Sequence, residues 1–226
     1  MTEFLSPIGP PAQIVITEAY DRDTRLAEMN LSFEGLRNAV TQGHAQRGLQ
    51  QQYDPKMIGG VNAWARAVRI LSEEFCDAAW GWSRDDLGGQ PRIFNIPLQL
   101  AVIVQAGNRL TGFADAHPRT KYPKGQRTQA AVNMNGAGRL FGALEGESEP
   151  KEGPIQTWLL LVHGSRSELR AELSLPSAMD KSNHVSDFSV RLILPMATEE
   201  FPLQRKGLPV DFPSPTVDVK VERRVG

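Results

Sequence analysis

Residues 156–175 read QTWLLLVHGSRSELRAELSL, and this stretch decides the fold class. Its first part, 156–163, is an apolar run of strand length. Its last part, 168–175, alternates. Leu169, Ala171, Leu173 and Leu175 fall on one side, and Glu168, Arg170, Glu172 and Ser174 on the other. A period of two predicts a strand with one face on a core and the other in water. Gly164 and Ser165 join the two parts by a short turn, which favours antiparallel pairing.

Downstream, residues 188–194 form a third strand-like run. A Pro-rich segment, 196–226, closes the chain, and within it 217–221 alternates valine with Asp218 and Lys220, the pattern of an edge strand. Upstream, 93–105 reads as one strand, with Leu98, Leu100, Val102 and Val104 opposite Gln99, Ala101, Ile103 and Gln105. Gly107 and Asn108 then offer a tight turn into a partner strand through Leu110. QIVIT at 13–17 is a short β-branched strand, preceded by an extended lead-in at 1–11 that holds Pro7, Pro10 and Pro11.

Three helices are predicted. The strongest spans 58–80, with Val61, Trp64, Val68, Leu71, Phe75 and Ala78 on one stripe at alternating spacings of three and four. Arg66 and Arg69 lie off that stripe, and Arg69 can pair with Glu73 one turn on. A second covers 32–46 through Phe33, Leu36 and Val40, weakened by Gly35 and Gly43. A third covers 126–144, with Ala130, Met134, Ala137, Phe141 and Leu144 sharing a face. Trp80 and Trp82 should straddle the edge of the core. The expected architecture is α+β: an antiparallel sheet packed against two or three helices in a single domain over 1–226.

Composition narrows the function. The net charge is −1, so nothing global draws the chain to nucleic acid or an anionic membrane. Cys76 is the only cysteine, which excludes an intramolecular disulfide and a four-cysteine zinc site and suits a reducing compartment; the expected setting is a bacterial-type cytoplasm. The opening residues, MTEFLSP, lack the basic start and apolar centre of a signal peptide. The densest apolar run, 158–162, is far below the roughly 20 residues that span a bilayer, so no membrane segment is expected.

Charge is instead local. Between Arg109 and Arg139 stand six basic residues, Arg109, Arg119, Lys121, Lys124, Arg127 and Arg139, against the single acid Asp115, so this segment carries +5. Around Lys121 and Lys124 the cations mix with hydroxyls, Gly125 and the aromatic Tyr122. Cations and hydroxyls grip phosphates, and an exposed ring stacks on a base. The expectation is a non-enzymatic nucleic-acid-binding or nucleoprotein-assembly component, for DNA or RNA, whose contacts are Arg109, Arg119, Lys121, Tyr122, Lys124, Arg127 and Arg139. The bland alternative is a solvated loop.

Two other classes remain open. Asp218-Val-Lys220 matches the acid-x-lysine piece of metal-dependent nucleases, and Asp85, Asp86 or Asp115 could serve a hydrolase. The edge strand at 217–221 could pair with a protein partner and make the chain a scaffold subunit. No catalytic residue, metal ligand or cofactor is assigned. Gly136, Gly138 and Gly142 miss the dinucleotide spacing by one residue. His44, His117, His163 and His184 hold no metal-ligand spacing, and His184 with Asp187 is the nearest approach to a pair. Cys76 is expected beside the stripe of the long helix, buried rather than reactive.

Two fragments bear a family likeness. Residues 71–82, LSEEFCDAAWGW, resemble the helix ending in Gly-Trp of strand-annealing proteins, and 139–146, RLFGALEG, is similar to another helix of theirs. Together they cover about a tenth of the chain. The strands from Gln156 onward have no counterpart there, so membership is not assigned.

Overall fold

A computed structural model describes residues 13–77, 80–86, 89–142, 155–165 and 167–196, the side chains of 136–142 excepted. The chain runs β1 (Ile14–Ile16), α1 (Ala19–Glu28), α2 (Phe33–Arg47), α3 (Ile58–Phe75), β2 (Ser83–Asp85), β3 (Arg92–Asn95), β4 (Leu100–Ala106), α4 (Gln126–Gly142), β5 (Gln156–Gly164), β6 (Leu169–Met179) and β7 (Val185–Leu194). The strands form one seven-stranded sheet in the order β1-β7-β6-β5-β4-β3-β2. The α+β class stands.

Pairing is mixed rather than purely antiparallel. β5–β6 and β6–β7 are antiparallel as the short connections require, but β4 with β5 and β1 with β7 run parallel. The cause lies in the connections. α4 packs on β5 and β6 and carries the chain back across the sheet, so β5 starts at the same end as β4. The hairpin expected through Leu110 does not form, because β5 takes that edge of β4. Residues 107–125 become a long loop instead, tied to itself by a bridge between Gly107 and Thr120.

Four helices, not two or three, cover the described sheet. α1 to α3 bury Leu26, Leu36, Val40, Ala67, Val68, Leu71 and Phe75 against the face that carries Val102, Val104, Trp158, Leu160 and Leu173. On the opposite face Val132 of α4 meets Ile103, Leu159 and Leu161. The period-two alternation of β4 and β5 thus feeds two cores, one on each side.

Local chemistry sets the helix ends and the close approach of α2 to α3. Ser32 Oγ accepts from Gly35 N at 3.1 Å and caps α2. A Cβ on Gly43 would lie 2.7 Å from Ala63 O and 2.8 Å from the Ala67 Cβ. One on Gly35 would lie 2.5 Å from Phe75 Cζ. These glycines, which weaken helix propensity, are what lets the two helices touch.

Several expectations are corrected. α1 was not foreseen. α3 stops at Phe75 rather than Trp80, because Cys76 turns to ψ 67° and Gly81 takes φ +70°. Trp82 is nevertheless buried, with Nε1 donating to Asn30 O, while Trp80 stays partly exposed. The single strand over 93–105 is two strands, folded back at residues 96–99 where Gln99 takes φ +54°. α4 turns Thr128, Val132 and Asn135 inward and leaves Ala130 and Met134 exposed. Asn135 faces inward because its amide bonds Thr157 N, Thr157 O and Pro176 O. The polar side of β6 is not wet: Glu172 and Ser174 are fully buried, the former paired with Arg191. The lead-in at 1–11 and the segment 217–221 lie outside the described residues, as does nearly all of 196–226. No described helix is long and apolar enough to cross a membrane.

Candidate anion-binding pocket

The parallel strands β4 and β5 end side by side at Ala106 and Gly164. Beyond the carboxyl ends of neighbouring parallel strands an open sheet leaves a crevice. Here α2 and α3 overhang it on one side and loop residues 121–124 flank it on the other, enclosing a cavity of about 440 Å3. Buried Val40, Ala67 and Val104 contribute to its lining from within. Exposed Lys56, Met57, Lys121 and Tyr122 stand at the mouth.

Four permanent cations line this cavity, Arg47, Lys56, Lys121 and Lys124, and no Asp or Glu does. Among the described residues none of the four makes an ion pair. Lys124 Nζ donates to the neutral Gln105 Oε1, and burial pushes its pKa below the ordinary lysine value. Lys121 Nζ sits 5.4 Å from the centre of the Tyr122 ring. His44 also lines the cavity, and burial, then the nearby Arg47 charge, hold its imidazole below the usual histidine value. Trp64 is fixed by Nε1 donating to Val104 O at 3.2 Å.

The loop that presents Lys121 and Lys124 is built in by its backbone. Thr120 N donates to Val185 O, Lys121 N to Ala106 O and Lys124 N to Asn183 O, at 3.0, 2.8 and 2.7 Å. Its earlier part lies over a buried ion pair. Glu172 Oε2 accepts from Gly112 N, and the Arg191 guanidinium donates to the carbonyls of Phe113, Ala114 and Ala116. Arg170 holds Thr111 O and Arg109 O.

The residues expected to form one basic strip therefore separate. Lys121, Tyr122 and Lys124 line the cavity together. Arg119 is directed to Asp180, 3.5 Å away, and does not line it. Arg109 and Arg127 are exposed outside it, and the side chain of Arg139 lies outside the described ones. Sequence reasoning missed His44, Arg47, Lys56 and Trp64. Val61 and Trp64 fall on the apolar stripe of α3, yet they are 41% and 39% exposed because they line the cavity, which the stripe alone does not reveal.

The carboxylates weighed for metal chemistry are engaged elsewhere or stand apart. Asp85 binds Arg92 at 2.9 Å, Asp86 binds Arg84 at 3.1 Å, Asp115 is exposed and Asp218 lies outside the described residues. Among the described residues no three His, Cys, Asp or Glu side chains gather. His184 Nδ1 lies 2.7 Å from Thr120 O, and Asp187 accepts from Ser186 Oγ. Half-buried Cys76 ends α3, and burial pushes its thiol pKa up. Comparison with protein families, curated proteins and solved structures finds no match to this chain.

Proposed function

We propose that the protein binds single-stranded nucleic acid, as a non-enzymatic nucleic-acid-binding or nucleoprotein component, through this pocket. One observation carries the reading: a concave site lined, among the described residues, by four cations without an ion-pair partner, two aromatic residues and no carboxylate. Cations left unpaired beside a cavity attract a polyanion, and exposed rings such as Tyr122 stack on bases that a duplex would hide. Phosphate contacts carry no sequence information, so weak sequence preference is expected. The alternative of a metal-dependent hydrolase has no comparable support, since Asp85 and Asp86 are already bound by arginines.

The test is fluorescence anisotropy with a labelled oligothymidylate. Neutralising four phosphates on a single strand gives a log–log salt slope of about −2.8, a loss of about 50-fold between about 50 and 200 mM salt. Changing Arg47, Lys121 and Lys124 together to glutamate should abolish binding, whereas Arg109→Glu should leave it nearly unchanged. A folded wild-type protein that binds no oligonucleotide at low salt overturns the proposal.

A further inference from the structure

We infer that the pocket takes one unstacked nucleotide unit, base inward and phosphate at the mouth, rather than a strand laid across its rim; this rests on the nucleic-acid reading above. Three observations converge. The cavity of about 440 Å3 falls near the small end of the range for small-molecule pockets, about 300–1,000 Å3, which suits a single nucleoside and not a stack. Its polarity is graded. Val40, Ala67 and Val104 are buried, whereas Lys56 and Lys121 stand exposed at the opening. A ligand with a flat apolar part and an anionic part matches that gradient; a bare phosphate run leaves the apolar interior wet. Gln105 also lines the cavity and commits its side-chain carbonyl to Lys124; among the described residues its amide nitrogen has no hydrogen-bond partner, so its hydrogens suit a base carbonyl.

A fourth observation makes the inference testable. Gly60 lines the cavity, yet a Cβ added there meets nothing within 4 Å. A side chain at this position starts into open space and removes no cation. Gly60→Phe should therefore reduce affinity for oligothymidylate by about tenfold or more, the loss of one stacked base. In the wild-type protein, thymidine monophosphate should displace the labelled oligonucleotide.

The outcomes separate the two proposals. If the oligonucleotide binds but the monophosphate does not displace it and a folded Gly60→Phe binds within about twofold of wild type, the strand crosses the rim and this inference falls while the nucleic-acid reading stands. If the oligonucleotide does not bind at low salt, or only a phosphorylated peptide does, both fall. Displacement by the monophosphate in the unaltered protein supports the inference even where the phenylalanine variant fails to fold.

Discussion

Between Arg109 and Ala116 the long loop lies over Glu172 and Arg191, both fully buried and 2.6 Å apart. Between Lys121 and Lys124 the same loop borders a cavity that no carboxylate of the described residues lines. The first half seals charge inside the protein and uses it to hold backbone carbonyls. The second half holds charge at an opening and is itself held by backbone hydrogen bonds. Charge that a fold needs is neutralised within the fold. Charge that it leaves unpaired next to a concavity is available to a ligand.

The contrast breaks first at Arg191. Replacing it with methionine leaves Glu172 buried without its cation and three loop carbonyls without their donor. Removing one partner of a buried pair costs about 3–5 kcal/mol. Urea denaturation should show that loss, while charge reversal at exposed Lys121 changes stability by only about 0.5 kcal/mol. A loss below about 1 kcal/mol for Arg191→Met would mean that the ion pair does not hold the loop.

A smaller effect sharpens the same division between closed and open walls. Gly43 and Gly60 both line the cavity, but only Gly43 is pressed against α3. Gly43→Ala forces its Cβ onto Ala63 O and Ala67, an overpacking cost of about 1–3 kcal/mol. Gly60→Ala meets no neighbour and should raise stability by about 0.5 kcal/mol through helix propensity. Thermal melts of the two variants should move in opposite directions; equal shifts would show that the α2–α3 contact is looser than its geometry implies.

Legibility in the sequence followed the range of the interactions. The 156–175 hairpin, α2 and the start of α3 were readable because their signals are local: alternation and helical stripes. The parallel pairing of β4 with β5 was not, since it depends on where α4 returns the chain. The inward face of α4 was misjudged because polar Asn135, not apolar Met134, satisfies the backbone of a distant strand. Glu172 looked like a surface charge because its partner Arg191 sits 19 residues away on another strand. The candidate site was half visible. Lys121, Tyr122 and Lys124 are adjacent in the chain, but His44 and Arg47 reach them only after helices fold over the sheet.

The smallest effect is a pH response at His44, and it carries two opposite signs. Burial and Arg47 lower its folded pKa below the ordinary 6.5, so the unfolded chain takes up the proton first. Stability contributed by the neutral ring is therefore full above pH 6.5 and is lost as pH falls below it. His163, also lowered chiefly by burial, acts in the same direction. Asp180, held low by the His184 amide, titrates below 3.8 and stays out of this window. Nucleic acid in the pocket would favour the protonated imidazole, so affinity for oligothymidylate should rise over the interval in which the free protein becomes less stable. His44→Gln should remove the rise in affinity and keep the part of the acid sensitivity that belongs to His163. If affinity in that variant still climbs as the pH drops, the added charge arises elsewhere, and His44 is a wall of the cavity rather than one of its cations.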